Sequence, residues 1–259
     1  MARAMRVLLV GCGALGGAIA HGVTKMHGAS LVVHDVDHAK AVKVARETLA
    51  PVVKTLEEGL AGADLVVEAA SQAALKEIAP KVLGKGIPLV ALSVGAFGDA
   101  PFLDAVTRLA QEKKTRILVP SGAIGGLDAL RAAAEAGLDE VTLVTAKPPE
   151  GFGLHGVHEP RVLYEGPARE AVAKFPKNVN VAAALSLAGI GFERTQVRIV
   201  ADPALKANTH TIVAKGAFGE MTCRVENRPS PENPASSHLA SLAALALIRR
   251  FVSPVQVGT

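Results

Sequence analysis

"VLLVGCGALGG", residues 7–17, decides the fold of this 259-residue chain. A continuous apolar strand runs into Gly11, Gly13 and Gly16, which have G-x-G-x-x-G spacing, and a helical pattern follows them. The glycine spacing alone is a weak signal in a chain with 25 glycines. Its position between a strand and a helix is the context that a dinucleotide-binding turn needs.

Each glycine of this turn has a separate physical task. Gly11 permits the tight turn, Gly13 lets backbone N–H groups approach a pyrophosphate, and Gly16 lets the helix pack closely on the strand. The helix N-terminus adds partial positive charge for the phosphates. We therefore predict cofactor contacts from Gly11, Gly13, Ala14, Leu15 and Gly16.

Asp35 ends the second apolar strand, 19 residues beyond Gly16. A carboxylate at this place accepts hydrogen bonds from the adenosine ribose hydroxyls and repels a 2′-phosphate, so the cofactor is predicted to be NAD. His34 and His38 could soften that discrimination, which leaves NADP open. Alternatively, Asp35 only caps the turn before the next helix.

Strands and helices alternate through the first 120 residues. Buried apolar strands that alternate with helices indicate a parallel, doubly wound sheet. The strands are predicted at 5–10, 30–35, 63–70, 87–94 and 115–120, with a short one at 51–53 and helices at 14–26, 37–50, 71–83 and 99–114. Three features should lie at the carboxyl ends of these strands, where such folds bind ligands: Ser71, Ser93 and the loop "PSGAIGG" (120–126). The loop is either a crossover between domains or a backbone wall against the nicotinamide.

After Pro120 the pattern changes. Helices are predicted at 127–137 and 178–189, and strands at 140–149, 195–203, 209–218 and 220–229. The fold class predicted is α/β: a Rossmann domain over 1–122, and a smaller α+β substrate domain over 123–236 with a mostly antiparallel sheet. An apolar helix within 237–259 is expected to pack back on the first domain.

Composition excludes several classes of function. A net charge of +4 without a dense basic run, and only 3% aromatic residues, argue against nucleic-acid binding and suit small anionic ligands. No apolar run is long enough to span a membrane, and the run before Cys12 is short for a secretory signal, so we predict a cytoplasmic protein. Cys12 and Cys223 give no disulfide framework. No metal site is predicted, because the histidines and acids lack a ligand spacing such as H-E-x-x-H.

Four segments together resemble the L-aspartate dehydrogenase family. They are "PSGAIGGLDAL" (120–130), "FPKNVNVAAALSLAG" (175–189), "IVADPALKANTHTI" (199–212) and "ENRPSPENPASS" (226–237), and the resemblance runs in order over nearly the whole chain. It implies NAD(P)-dependent oxidative deamination of L-aspartate to iminoaspartate, the entry to one route of NAD synthesis. It also implies a Rossmann domain, a smaller α/β substrate domain and a homodimer.

The resemblance makes His210 the active-site residue and places Ala123 and Asn180 against the dinucleotide. A period of two puts Asn208, His210 and Ile212 on one strand face. The substrate amine must lose a proton, and an imidazole suits that task. Alternatively, the ring is a core histidine bonded to Asn208 or Thr211. Other histidines compete for the role: His155, His158 and His238.

A substrate with two carboxylates needs cations or several N–H donors. Lys147 is the first choice, although it could be a solvated lysine at a strand end. Asn208, Asn233 and Ser236 are further predicted substrate contacts, while Ser236 or Ser237 could instead cap the last helix, and Asn180 could cap its helix and still bond the nicotinamide amide. Two other functions stay open: reduction of another small acidic carbonyl or imine, and non-enzymatic sensing of the dinucleotide.

Overall fold

The computed structural model describes residues 3–175, 180–231 and 236–258. The chain divides into two compact units. The first unit runs to Pro120 and includes Ser241–Gln256, and the second unit comprises Ser121–Ala240 and the last residues of the chain.

The first unit contains a five-stranded parallel sheet. Its strands are β1 (Met5–Val10), β2 (Ala29–His34), β3 (Leu65–Glu68), β4 (Leu89–Ala91) and β5 (Ile117–Leu118), in the order β2-β1-β3-β4-β5. The accompanying helices are α1 (Ala14–Val23), α2 (His38–Thr48), α3 (Leu56–Leu60), α4 (Gln72–Gly84) and α5 (Ala100–Glu112). The strand order reverses between β1 and β3, which is where doubly wound sheets bind their ligands. The predicted Rossmann arrangement is confirmed.

The predicted strand at 51–53 is reduced to one residue. Val52 forms a single parallel bridge with Val33. Two backbone hydrogen bonds of 3.0 Å, from Val33 N–H to Pro51 O and from Val53 N–H to Val33 O, continue the sheet beyond β2. Pro51 carries no N–H and cannot donate to a ladder, so this segment does not extend into a longer strand.

The C-terminal helix α9 (His238–Arg249) completes the core of the first unit. Ala244 and Ile248 are fully buried there together with Ile19 and Val23 of α1. A Cβ on Gly22 would lie 2.3 Å from a methyl carbon of Leu245, so the glycine permits close packing of the two helices. No helix within the described ranges is both apolar enough and long enough to cross a membrane.

The second unit contains a mixed five-stranded sheet. Its elements are α6 (Leu127–Ala134), β6 (Leu138–Lys147), β7 (Arg161–Pro167), α7 (Ala168–Lys174), α8 (Asn180–Ala188), β8 (Gln196–Ala201), β9 (Asn208–Gly216) and β10 (Gly219–Asn227). The strand order is β10-β9-β6-β8-β7. Every pair is antiparallel except β6 with β8. The prediction of a mostly antiparallel sheet is confirmed.

Two elements of the second unit were not predicted from the sequence. Strand β7 lies at the sheet edge, and only Tyr164 of its seven residues is buried, so its hydrophobic pattern is weak. Helix α7 follows it directly and buries three residues, Ala168, Ala171 and Val172. Short edge elements of this kind give little periodic signal in a single sequence.

Candidate active site

The glycine turn of the first unit has no room for side chains at two of its three positions. A Cβ on Gly16 would lie 1.9 Å from the carbonyl oxygen of Gly11. A Cβ on Gly11 would lie 2.5 Å from Ala69 O, and its φ of +100° also favours glycine. A Cβ on Gly13, by contrast, would meet no atom within 4 Å, so there is open space beside this residue for a ligand.

Gly13 is the N-cap of α1, and no side chain caps this helix. Ala14 and Leu15 form the first turn of the helix. The first N–H groups of a helix lack partners within it and carry partial positive charge. The turn is therefore suited to hold a phosphate group.

Asp35 is tied to this turn by its own carboxylate. Cys12 N–H donates to Asp35 Oδ2 at 2.7 Å, and Asp37 N–H donates to Oδ1 at 2.8 Å. Both bonds fix the carboxylate at the end of β2. Burial, with Asp35 as a smaller cause, raises the pKa of the Cys12 thiol to about 12, so this thiol is not a nucleophile at neutral pH.

A cavity of about 460 Å³ lies along the carboxyl ends of β1, β2 and β3. It brings together four of the predicted cofactor residues, Gly11, Gly13, Asp35 and Ser71. Two cations, Lys40 and Lys81, also line it, but each pairs with an acid: Lys40 with Asp37 at 3.4 Å and Lys81 with Glu57 at 3.2 Å. Ser71 caps α4, because its Oγ accepts from Ala74 N–H at 3.1 Å.

Glu68, at the end of β3, is fully buried and was not singled out in the sequence. Its Oε1 accepts from Ala70 N–H at 2.8 Å and from the Ser93 hydroxyl at 2.7 Å. Its Oε2 accepts from the N–H groups of Ser93 at 3.0 Å and Leu92 at 3.3 Å. Burial raises the pKa of this carboxyl, against the lowering effect of the hydrogen bonds. The side chain joins the turn that carries Ser71 to the end of β4.

We expect Glu68→Gln to destabilise the protein although it preserves size. Each carboxylate oxygen of Glu68 accepts from two donors, and the glutamine NH₂ group, which only donates, would replace one of these oxygens. The donors that faced that oxygen would be left buried and unpaired, at a cost of about 1–3 kcal/mol each. Urea unfolding measures the change in the free energy of unfolding. Glu112→Gln, on the exposed end of α5, is the control and should change it little. Equal stability of the two variants would show that the four bonds contribute nothing net.

His210 lies in the second unit on β9 and is only 3% exposed. Its Nδ1 is 3.0 Å from Oγ1 of Thr145, the residue directly opposite on β6. The alternative partners considered from the sequence, Asn208 and Thr211, are not the ones that the ring uses. Burial and, to a smaller extent, the charge of Lys147 lower the His210 pKa to about 4, so the ring is neutral at physiological pH.

Lys147 is two residues beyond Thr145, on the same face of β6. It is 7% exposed and therefore not a solvated lysine. Burial lowers its pKa. Its Nζ lies 5.7 Å from the ring centroid of Phe152, in the 3₁₀ segment Pro149–Phe152. A buried cation of this kind is a suitable partner for an anionic ligand.

A smaller cavity of about 180 Å³ lies beside these strands and brings together two predicted substrate residues, Lys147 and Asn208. Two charged residues that sequence reasoning missed also line it, Lys206 and Glu150. The surplus of cations over anions favours an acidic ligand. The segment "LKANTH" could have indicated Lys206 as a further candidate, because this lysine lies only two residues before Asn208.

Three further predicted residues, Ala123, Asn180 and Ser236, lie in the second unit. Ala123 is 5% exposed, and its carbonyl oxygen accepts from Asn227 Nδ2 at 3.0 Å. Asn180 is exposed at the start of α8, and Ser236 O accepts from Ser230 N–H at 2.8 Å. Asn233 lies outside the described residues. Across the ranges that are described, no group of three or more histidine, cysteine or acidic side chains could hold a metal ion.

Two family models match the chain. The model "Aspartate dehydrogenase, C-terminal" matches residues 128–251, and "Homoserine dehydrogenase, NAD binding domain" matches residues 11–120. The first covers His210 and Lys147, and the second covers the glycine turn and Asp35.

Individual proteins give a consistent result. The L-aspartate dehydrogenase of Methanosarcina acetivorans is 42% identical over 270 aligned residues, which cover 98% of this chain and all of that protein. The crystal structure of aspartate dehydrogenase from Thermotoga maritima superposes with a TM-score of 0.79 at 28% identity, covering 98% of this chain and 99% of that one. A myo-inositol dehydrogenase from Lactobacillus casei, solved with NAD(H) and myo-inositol, has a TM-score of 0.57 at 15% identity, covering 85% of this chain and 74% of that one, and shares the fold alone.

Proposed function

This chain belongs to the L-aspartate dehydrogenase family, and we propose that it oxidises L-aspartate to iminoaspartate with NAD as the hydride acceptor. The observation that carries the proposal is that a buried neutral imidazole, His210, and a buried lysine, Lys147, lie on the same face of the second unit's sheet. A dicarboxylate amino acid needs both groups: a cation for a carboxylate and a proton acceptor for the amine.

The first unit supports dinucleotide binding. The open space beside Gly13, the uncapped start of α1 and the 460 Å³ cavity fit a pyrophosphate and its nucleoside. When bound, NAD supplies a nicotinamide carbon that accepts the hydride from Cα. Ala123 and Asn180 are proposed contacts of the same cofactor, on the family resemblance.

His210 is the proposed acid–base group. The α-ammonium group must lose its proton before the nitrogen lone pair can form the C=N bond as hydride leaves Cα. One tautomer suits this step: Nδ1–H donates to Thr145 Oγ1, and Nε2 keeps the lone pair that takes the proton. Thr145 thereby orients the ring, as the third group of a hydrolase triad orients its histidine.

Lys147 is proposed to bind a carboxylate of the substrate, and the bound carboxylate is proposed to raise the basicity of His210. In the free protein the lysine charge contributes to the low His210 pKa. A carboxylate beside Lys147 offsets that charge and so raises the His210 pKa when substrate is bound. His210 is therefore a stronger base in the substrate complex than in the free protein.

The cofactor preference provides a prediction at Asp35. We expect Asp35→Asn to raise the ratio of kcat/KM with NADP to kcat/KM with NAD by at least about tenfold, because it removes a charge that repels the 2′-phosphate. Initial rates with both cofactors measure the ratio. Asp104→Asn removes an exposed charge on α5 that does not line the cavity, and it serves as the control. An equal shift in both variants would refute a direct contact of Asp35 with the ribose.

The activity is tested with the purified protein, NAD and a panel of amino acids. We expect kcat/KM for L-aspartate to exceed that for L-alanine and L-homoserine by at least about a hundredfold. Neither of these amino acids has a second carboxylate, so the protein groups that bind it would be left without a partner. Turnover of aspartate no faster than that of alanine would refute the substrate. Binding of NAD without reduction by any amino acid would make the protein a dinucleotide sensor.

We also propose, on family membership, that iminoaspartate enters NAD synthesis and that the chain forms a homodimer. Light scattering of the purified protein tests the dimer, since a monomer mass at enzyme-assay concentrations would contradict it.

A further inference from the structure

Asn227, the last residue of β10, is a buried polar side chain to which the proposed function assigns no role. It is 3% exposed and lies directly opposite Asn208 in the register of β9 and β10. Val225, two residues earlier, lies opposite His210. Because side chains two residues apart share a sheet face, Asn227, Asn208 and His210 lie on the same face.

The orientation of the Asn227 amide follows from its one hydrogen bond. Nδ2 donates to the carbonyl oxygen of Ala123 at 3.0 Å. A carbonyl oxygen accepts but does not donate, so a flipped amide would face it with a second acceptor. The remaining atom, Oδ1, is therefore an acceptor, and it has no hydrogen-bond partner in the described part of the chain.

Buried acceptors without a partner are uncommon in folded proteins, because they have lost water without a replacement. Among the described residues of the second unit, two other buried side-chain oxygens share this property, Ser186 Oγ and Thr195 Oγ1. Neither residue lies on β9 or β10. Asn227 differs because its strand partner Asn208 lines the same small cavity as Lys147, and because its own Nδ2 holds the loop at Ala123.

That loop is packed tightly on β10. A Cβ on Gly126 would lie 3.1 Å from Met221 Cε and 3.3 Å from Cys223 Cβ, and one on Gly125 would lie 3.4 Å from Cys223 Sγ. Gly122 and Gly126 have positive φ values, of +65° and +77°. The hydrogen bond from Asn227 holds this loop at Ala123, so the loop packs against the sheet face that also carries Asn208 and His210.

We propose that Asn227 is a ligand-binding residue whose Oδ1 accepts a hydrogen bond from an N–H group of a bound ligand, while its Nδ2 fixes Ala123. Two sources carry this chemistry in the reaction proposed above: the amino group of the amino acid and the carboxamide of the nicotinamide. The inference rests on the proposed function. It adds a hydrogen-bond acceptor to a set of groups that otherwise bind carboxylates and protons.

The test separates the two halves of the amide. Asn227→Leu removes both polar atoms at similar size. Asn227→Asp keeps an acceptor for the ligand and replaces the donor to Ala123 by a carboxyl oxygen, which can bond the Ala123 carbonyl only when it is protonated. We expect Asn227→Leu to raise either the KM of L-aspartate or the Kd of NAD by at least about tenfold, the scale of one lost hydrogen bond to a charged or buried group. The constant that changes identifies the ligand. We expect Asn227→Asp to restore at least half of that loss on a logarithmic scale.

Three outcomes would overturn the proposal. Both constants could stay within about twofold of wild type in Asn227→Leu, which is the scatter expected for a residue without ligand contact. Asn227→Asp could be no better than Asn227→Leu, which would leave only the structural bond to Ala123. Thr195→Val, the matched removal of an unpartnered buried hydroxyl, could change the same constant equally.

Two measurements keep the result interpretable. Thermal unfolding is recorded for every variant, and if Asn227→Leu does not fold, Asn227→Asp alone decides: a rise of tenfold or more in either the KM of L-aspartate or the Kd of NAD then refutes the acceptor role. Calorimetric titration with NAD alone does not depend on turnover. If the wild-type protein failed to oxidise L-aspartate, the proposed function would be refuted. The titration with NAD would still test whether Asn227 contacts the cofactor.

Discussion

Glutamine at position 210 is expected to lower kcat for L-aspartate oxidation by about 10²-fold or more, the usual scale for loss of an acid–base group. Glutamine fills most of the imidazole's space in this buried site and can still bond Thr145, but it cannot take a proton at neutral pH. Steady-state kinetics measure kcat, and calorimetric titration should give a Kd for NAD within about twofold of wild type, because the glycine turn is unchanged.

The exposed histidines His155 and His158 provide matched controls for this variant. Each of their glutamine variants should retain wild-type turnover. If either lost activity while His210→Gln kept it, the proton acceptor would lie in the 150–160 loop instead.

The low pKa of His210 adds a prediction about pH. The pKa in the folded protein, about 4, lies below the ordinary value of 6.5, so the unfolded chain takes up the proton first as pH falls. The stability contributed by the neutral ring is complete above about pH 6.5 and is lost progressively down to about pH 4. Urea unfolding at several pH values should show this loss in the wild type and a smaller one in His210→Gln. Parallel curves for the two proteins would contradict the burial of a neutral ring.

The second large effect concerns two glycines of one turn. Gly13→Ala should leave the melting temperature near wild type, because the new Cβ meets no atom within 4 Å. It should weaken NAD binding by about tenfold or more, since the Cβ occupies the approach of the phosphate to the backbone N–H groups, whose charge-assisted bonds are each worth about 1.5–3 kcal/mol.

Gly16→Ala should behave in the opposite way. Its Cβ would lie 1.9 Å from Gly11 O, which forces α1 away from β1 and costs at least about 1–3 kcal/mol of stability, the usual range for overpacking. Thermal unfolding and NAD titration on both variants separate ligand loss from fold loss. A stable Gly16→Ala variant, or a Gly13→Ala variant with wild-type NAD affinity, would contradict the role given to that glycine.

The first unit was well predicted from sequence because its signals are local. Apolar runs such as "MRVLLV" form strands buried in a parallel sheet, and the glycine spacing specifies one turn with one packing solution. Pro51 and its neighbours carried a weaker strand signal, and the structure retains one bridge there. In the second unit, β7 was missed because an edge strand needs little apolar periodicity, and α7 was missed because its seven residues are too few for a clear helical period.

The site could be predicted by residue type but not by partner. A period of two placed His210 on the buried face of β9, as the structure shows. Its partner Thr145 comes from β6, 65 residues earlier, and depends on a strand register that a single sequence does not contain. The roles of Glu68 and Asn227 could not be predicted for the same reason, because their hydrogen bonds reach residues 25 and 104 positions away.

Transfer of deuterium shows directly whether this protein moves a hydride from Cα of L-aspartate to NAD. The purified protein is incubated with NAD and L-aspartate deuterated at Cα, and the reduced cofactor is analysed by mass spectrometry. We expect reduced NAD that carries the deuterium, and we expect it to form more slowly with His210→Gln. Reduced cofactor without the label, or no reduction at all, would contradict this hydride transfer.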